Sequence, residues 1–216
     1  MTIRRLSFAD RLLSTAQRSV DVLAGRLPTE RPNPAGPPDT AEAESLNQAQ
    51  RRLSGSLMRV NHVGEICAQA LYEGQGLLAK SPEIRASVEH AAREERDHLA
   101  WTAQRLRELD SRPSVLNPLW YGMSLAMGAF AARLGDKASM SFMMETERQV
   151  EKHLESHLKR LPAIDTRSKA IVAQMKQDET EHAATAQRMG GTGVPFPVRL
   201  LMKGVSRVMT GTAHYL

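Results

Sequence analysis

Hydrophobic positions recur every three or four residues along most of the chain, which is the spacing of one face of an α-helix. Prolines and glycines interrupt this pattern and divide it into segments. The pattern predicts four long helices, an apolar segment between the second and the third, and an amphipathic helix near each end of the chain. In chain order, the predicted helices cover residues 6–25, 46–80, 82–110, 117–134, 136–161, 166–190 and 197–212.

The stretch between the first two predicted helices differs in composition. Residues 28–40 include five prolines, which indicates irregular structure rather than a helix or strand. We therefore predict three parts: an N-terminal amphipathic segment (1–27), a Pro-rich linker (28–44) and one helical domain (45–216).

Composition agrees with a helical protein. Aromatic residues make up only 4% of the 216 residues, whereas strands are rich in aromatic and β-branched residues. The net charge of +5 suits either nucleic acid or an anionic membrane surface and does not choose between them. The lone cysteine, Cys67, excludes an intramolecular disulfide and is more typical of a small buried residue than of a metal ligand or reactive thiol.

The apolar segment approaches the length of a membrane-spanning helix. No charged residue occurs between Arg112 and Arg133, but Pro113 and Pro118 break its start and glycines dilute it. We therefore predict a crossover helix that covers a bundle or lies in a membrane interface, rather than a true span.

Two Glu-x-x-His steps are the most specific chemical feature. Each follows a helix with another glutamate, and the separations are 30 residues from Glu65 to Glu95 and 32 from Glu147 to Glu179. Residues three apart on a helix share a face, so each step presents a carboxylate and an imidazole together. The candidate metal ligands are Glu65, Glu95, His98, Glu147, Glu179 and His182.

This order of ligands is typical of a two-metal carboxylate site in a ferritin-like four-helix bundle with a long crossover. One Glu-x-x-His alone more often marks a solvated helix face. Here both copies lie on largely apolar stripes, and buried carboxylates without cations would be costly. Four carboxylates and two imidazoles suit iron or manganese.

Further polar residues adjoin these positions. Glu94 and Asp178 each precede a ligand glutamate by one residue, and either carboxylate is placed to reach the second ring nitrogen of a histidine across the bundle. Asn61 and His62 are further candidates for a place next to the ligands.

The run Arg59-Val60-Asn61-His62-Val63-Gly64-Glu65, followed by Cys67-Ala-Gln-Ala-Leu-Tyr72, resembles the signature of the demethoxyubiquinone hydroxylases of ubiquinone biosynthesis. The similarity covers roughly residues 45–216 and includes the positions of the other five candidate ligands. Val63 stands where that family is expected to have alanine.

The resemblance implies a flavin-independent monooxygenase with two iron ions, which uses O₂ and a reductant to hydroxylate a polyprenylated methoxy-methyl-benzoquinol. It implies no catalytic residue beyond the six metal ligands. A lipid-tailed substrate implies a peripheral enzyme at the cytoplasmic face of the bacterial inner membrane. Other ubiquinone-biosynthesis proteins are candidate partners, and nucleic acid is not. Ala68, Gly74 and Gly76 are small enough to leave room for a substrate ring.

Three alternatives remain open from the sequence; a fourth, a radical-storing reductase subunit, is disfavoured because Tyr72 follows Glu65 by nearly two helical turns. A ferritin-like ferroxidase needs similar ligands but not the apolar crossover. A tRNA-hydroxylating di-iron enzyme would use the basic surface. A metal-free helical bundle that serves only as an interaction module would leave the inward glutamates without a role.

Overall fold

The protein is described by a computed structural model over residues 7–26 and 28–216, and all regular secondary structure in these ranges is α-helical. The predicted all-α class is confirmed. The helices are α1 (Phe8–Leu23), α2 (Ala41–Ser45), α3 (Gln48–Leu78), α4 (Pro82–Glu108), α5 (Asn117–Arg133), α6 (Asp136–Arg160), α7 (Thr166–Arg188) and α8 (Phe196–Tyr215). All but the short α2 were predicted, with ends within three residues. Residues 1–6 and 27 of the predicted N-terminal segment lie outside the described ranges.

Side-chain caps explain where three of the four helices that carry the candidate site begin. Asn47 accepts from the backbone N–H of Gln50 at the start of α3, and the Gln50 side chain accepts from the Asn47 N–H. Ser81 caps α4 just before Pro82, where proline is well tolerated. Asp165 caps α7 in the same way.

Helices α3, α4, α6 and α7 form the four-helix bundle. Helix α3 packs along α4, α6 packs along α7, and contacts of α4 with α7 and of α3 with α6 close the bundle. Helix α5 connects the two pairs and packs mainly along α3. This is the ferritin-like arrangement with a long crossover that the sequence predicted.

Two apolar layers fill the bundle on either side of its middle. One layer includes Leu57, Met58, Trp101, Leu106, Leu154, Ile171 and Met175. The other includes Ala68, Tyr72, Val88, Ala91, Met140, Met143 and Ala186. On every bundle helix, the candidate ligands lie between residues of these two layers, which shield the site from water along the bundle axis.

The crossover helix approaches α3 unusually closely. A Cβ atom added at Gly74 would lie 2.3 Å from the Leu125 carbonyl oxygen, and one added at Gly128 would lie 2.1 Å from that of Leu71. The suggestion that Gly74 leaves room for a substrate ring was therefore wrong, because the α5 backbone occupies that space. Within the described ranges, no helix combines the length and apolar character needed to cross a membrane.

The Pro-rich segment is irregular up to residue 40, as predicted, but it lies against the bundle. The Arg167 guanidinium donates to the carbonyl oxygens of Ala35 (2.7 Å) and Pro37 (2.8 Å). Buried Arg105 pairs with Glu42 at 3.1 Å. These contacts fix the segment across the ends of α4 and α7.

Candidate metal centre

The six candidate ligands meet in the middle of the bundle, and all are buried. Ligand atoms of Glu65, Glu95, His98 and Glu179 lie within 4.8 Å of one another, and so do those of Glu147, Glu179 and His182. Helix α3 contributes Glu65, α4 contributes Glu95 and His98, α6 contributes Glu147, and α7 contributes Glu179 and His182. The structure therefore brings together all six residues that the sequence singled out.

The histidines direct the same ring nitrogen toward the carboxylates. His98 Nδ1 lies 3.1 Å from Glu65 Oε2 and 3.2 Å from Glu95 Oε2. His182 Nδ1 lies 3.0 Å from Glu179 Oε2 and 3.5 Å from Glu95 Oε1. Since Glu95 and Glu179 each approach both histidines, these two carboxylates occupy the positions from which a ligand can bridge two ions. Glu65 and Glu147 lie at the two outer sides of the cluster.

The metal-free cluster leaves buried oxygens without partners. Neither oxygen of Glu147, which is 1% exposed, has a hydrogen-bond donor, and Glu95 Oε1 also lacks one. Buried acceptors are normally satisfied, so these oxygens without hydrogen-bond donors favour a bound cation at this position. The donor set of four carboxylates and two imidazoles is therefore compatible with a di-iron site.

Burial and mutual repulsion perturb the ionisation of the cluster. Burial, with the nearby Glu95 charge, raises the pKa of Glu65 well above its usual range, and burial with the Glu179 charge does the same for Glu147. Burial alone would also raise the pKa of Glu179, but hydrogen bonds from His182 and His98 hold it well below its usual range. In the metal-free protein, protons thus supply positive charge that bound cations would replace.

Carboxylates occupy the far side of both histidines. His98 Nε2 lies 2.9 Å from Asp178 Oδ2, and His182 Nε2 lies 2.8 Å from Glu94 Oε2. Each contact crosses between α4 and α7, as expected from the sequence. A carboxylate that accepts from Nε2–H leaves Nδ1 free as a ligand, so a role of Glu94 and Asp178 in fixing the tautomer stays our prediction.

Asn61 and His62 face other partners. Asn61 Oδ1 lies 2.7 Å from His157 Nδ1, and His62 Nδ1 lies 2.9 Å from Thr102 Oγ1. Within the described ranges, neither side chain hydrogen-bonds a candidate ligand. Asn61 lies about one helical turn, or roughly 5.4 Å, from Glu65 along α3. Its side chain therefore contacts residues of the neighbouring layer of the bundle rather than the candidate ligands.

Sequence reasoning missed one residue next to the site and one in the neighbouring layer of the bundle. Arg31, in the Pro-rich segment, reaches Asp97, Asp178 and Glu94, and its guanidinium lies 5.0 Å from the Trp101 ring centroid. His157 is buried beside Asn61. His157 follows Glu147 by ten residues on α6, and that spacing held no motif to mark it. An isolated arginine among prolines also carries no such signal.

The lone cysteine lies outside the cluster. Cys67 Sγ is 3.3 Å from Met209 Sδ on α8, and burial raises the pKa of its thiol to about 11. A neutral, partly buried thiol packed against Met209 agrees with the interpretation of Cys67 as a packing residue rather than a nucleophile.

Comparison with known proteins places this cluster in a family. Residues 52–213 match the sequence profile described as "Ubiquinone biosynthesis protein COQ7". A protein from Burkholderia thailandensis named "3-demethoxyubiquinol 3-hydroxylase" is 55% identical over 96% of this chain and 99% of its own length. One of the same name from Paraburkholderia xenovorans is 55% identical over 97% of this chain and its full length.

Among solved structures, a dodecameric thioferritin from Bacteroides fragilis is similar with 17% identity and a TM-score of 0.47, covering 88% of this chain and 98% of that one. The sequence matches are far stronger and extend over nearly the whole chain. They agree with the resemblance that the Asn-His-x-Gly-Glu motif suggested. The chain belongs to the COQ7 family of ubiquinone-biosynthesis proteins.

Proposed function

We propose that the protein is a di-iron monooxygenase that hydroxylates the ring of 3-demethoxyubiquinol, a polyprenylated methoxy-methyl-benzoquinol. The observation that carries this proposal is the buried Glu and His cluster in a chain that is 55% identical to 3-demethoxyubiquinol 3-hydroxylases along nearly its whole length. The family match favours hydroxylation over the ferroxidase, tRNA-hydroxylase and metal-free alternatives.

One iron ion would be held by Glu65, Glu95 and His98 with Glu179, and the other by Glu147 and His182 with the two bridging carboxylates. The two ions, when bound as iron(II), would activate O₂ so that one oxygen atom enters a ring C–H bond and the other leaves as water, with two electrons and two protons supplied by a reductant. The apolar layers on either side keep bulk water away from this chemistry.

A cavity of about 370 Å³ between α1, α3 and α4 offers a place for the quinol ring. Tyr72 and Gln69 line it, and Tyr72 Oη and Gln69 Oε1 are both buried without partners. A quinol hydroxyl can accept from the tyrosine and donate to the amide oxygen. The Tyr72 ring also makes an edge contact with the ring of His182, at 6.1 Å between centroids, so the cavity ends next to the metal cluster.

A second cavity, of about 180 Å³, opens between α4 and α7 beside Glu94, Asp178 and His182. Because this cavity has about half the volume of the first, it suits water and protons better than a substituted aromatic ring. Filling the first cavity tests this assignment. Ala92→Phe should abolish turnover and binding of a short-chain quinol analogue while the iron content stays at wild-type level. Ala86→Phe, at an exposed position of the same helix, is the matched control. Quinol binding unaffected by Ala92→Phe would place the ring elsewhere.

Three helices present apolar side chains outward on the α3 side of the bundle. Val22 of α1 and Tyr121 of α5 belong to one apolar cluster on α3, and Trp120 of α5 and Ala213 of α8 belong to another. The exposed apolar residues of these helices include Leu12, Leu13, Leu119, Phe130, Phe196, Leu200, Leu201 and Val208. Lys203 and Arg207 are exposed on α8. Apolar side chains with a cationic rim suit an anionic bilayer surface, so we infer peripheral docking at the cytoplasmic face of the inner membrane.

Co-sedimentation with phosphatidylethanolamine–phosphatidylglycerol vesicles tests docking. The double variant Leu200→Glu/Leu201→Glu should remain in the supernatant, because two charges would enter the apolar contact. Ile164→Glu, at an exposed apolar residue in the α6–α7 loop, should sediment like wild type. Equal sedimentation of all three proteins would refute docking through α8.

The reaction itself is tested in the host. Deletion of the protein should cause demethoxyubiquinone to accumulate, and the wild-type chain should restore ubiquinone, whereas Glu147→Ala should not. Metal analysis of the anaerobically purified protein should find two iron ions per chain. Restoration of ubiquinone by Glu147→Ala would refute the proposed role of the cluster.

A further inference from the structure

Arg31 lies in the Pro-rich segment and enters the outer side of the metal cluster. Its Nε donates to Asp97 Oδ2 at 2.9 Å, and its Nη1 forms an ion pair with Asp178 Oδ2 at 2.9 Å. The guanidinium also stacks against Trp101 with its carbon 5.0 Å from the ring centroid. Its side chain is only 31% exposed, so it is enclosed rather than free in solvent.

The contacts of Arg31 join the two carboxylates behind the histidines. Asp178 Oδ2 pairs with Arg31 and is the same atom that lies 2.9 Å from His98 Nε2. Arg31 Nη1 also lies 3.7 Å from Glu94 Oε1, and the other oxygen of Glu94 is 2.8 Å from His182 Nε2. One guanidinium therefore lies between two carboxylates, each of which contacts one candidate metal ligand.

The guanidinium of Arg31 offsets negative charge at the outer side of the metal cluster. The four inner carboxylates match the charge of two divalent cations, but Glu94, Asp97 and Asp178 add three further negative charges. Within the described ranges, the basic groups that lie within 4 Å of these three carboxylates are Arg31, the two cluster histidines and His90, whose Nε2 is 3.8 Å from Glu94. Arg31 is permanently charged, so it offsets part of this excess at any pH.

The backbone around Arg31 is held in place. The Glu30 N–H donates to Asp97 Oδ1 at 2.7 Å, so Asp97 contacts both the backbone and the side chain of the segment. Farther along, Arg167 donates to the Ala35 and Pro37 carbonyl oxygens. The segment therefore presents the guanidinium in a defined position, which makes the two outer carboxylates less free to rotate away from the histidines.

We propose that Arg31 is a positioning residue of the metal centre: it fixes Asp178 and Glu94 against His98 and His182 so that both ligand nitrogens face the ions. This inference rests on the proposed di-iron function. Loss of groups that orient metal ligands typically weakens metal binding about 10–100-fold. Arg31 does this without contacting substrate.

The test is titration of the metal-free protein with cobalt(II), followed by calorimetry and visible absorption, which requires no turnover. Arg31→Gln should weaken binding about 10–100-fold. The cobalt affinity of Arg31→Lys should lie between those of wild type and Arg31→Gln, because one ammonium cannot pair with several carboxylates in a fixed plane. Arg51→Ala is the matched control: Arg51 is also 31% exposed and pairs with Asp110 away from the cluster.

A double-mutant cycle separates positioning from general stabilisation. In an Asp178→Asn background, Arg31→Gln should weaken cobalt binding less than in wild type, since the ion pair of Arg31 with Asp178 is already lost and only its contacts with Glu94, Asp97 and His98 remain to be removed. Wild-type affinity in Arg31→Gln, or equal losses in both backgrounds, would overturn the proposal. If Arg31→Gln does not fold, the affinity of Arg31→Lys decides in the same way. Failure of the wild-type protein to bind metal would instead overturn the di-iron function.

Discussion

Replacing Glu147 by methionine should have opposite effects on the metal-free and metal-bound protein. The carboxylate is 1% exposed and neither oxygen has a hydrogen-bond donor. A buried polar group without a partner costs about 1–3 kcal/mol. Methionine is similar in length and joins Met140, Met143 and Met144, which are buried on the same helix. The unfolding free energy of the metal-free variant should therefore rise by about 1–3 kcal/mol.

For a chain of this size, 1 kcal/mol corresponds to roughly 2–4 °C in Tm. The metal-free Tm of Glu147→Met should therefore lie roughly 2–12 °C above that of wild type. Iron should reverse the order. A ligand at 100 times its Kd stabilises the folded state by about 2.7 kcal/mol, and the variant loses the α6 ligand of one ion.

The measurement is thermal unfolding of both proteins under anaerobic conditions, with a chelator and with excess iron(II). Glu151→Met is the control, because Glu151 lies on the same helix but is outside the cluster. The reasoning would be refuted by a metal-free Glu147→Met protein that is less stable than wild type. Such a result would mean that the carboxylate has a favourable partner in the folded protein without metal.

Three further predictions concern the scaffold. Gly128→Ala should destabilise the protein by about 1–3 kcal/mol in denaturant unfolding, because the new Cβ would overlap the α3 backbone. Gly122→Ala lies on the same helix, where an added Cβ meets no atom within 4 Å, and it should stabilise the protein by up to about 1 kcal/mol. Equal effects of the two substitutions would contradict the close approach of α5 to α3. Burial alone would raise the pKa of the Glu108 carboxyl, but hydrogen bonds from Arg167 and other groups lower this pKa from 4.5 to about 2. The stabilisation that ionised Glu108 provides is therefore complete above pH 4.5 and is lost as the pH falls through 2. Unfolding of Glu108→Gln should depend less on pH over that range, and an unchanged acid transition would count against this. Leu154→Ala should cost about 2–5 kcal/mol without changing cobalt stoichiometry, since Leu154 lies in the apolar layer, and loss of metal binding would show that the layers are not independent of the site.

The sequence predicted the helices because periodicity and helix caps act locally. Glu95 and His98 share a face wherever a regular helix forms, and so do Glu179 and His182. Glu65 and Glu147 alternate along the chain with the two Glu-x-x-His steps, and each of the four lies on its own apolar stripe. This pattern was enough to predict which helix faces turn inward. The cost of burying four carboxylates is a constraint that the sequence states by itself.

Contacts between distant segments depended on tertiary structure. The sequence suggested that Gly74 leaves room for a substrate ring, but only the packing of α5 showed that its backbone fills the space. Arg31 lies 66 residues before Asp97 and 147 before Asp178, and no periodicity relates an irregular segment to helices so far along the chain. Local patterns fix which side chains share a helix face, whereas the path of an irregular segment is set by the long-range contacts it makes on folding.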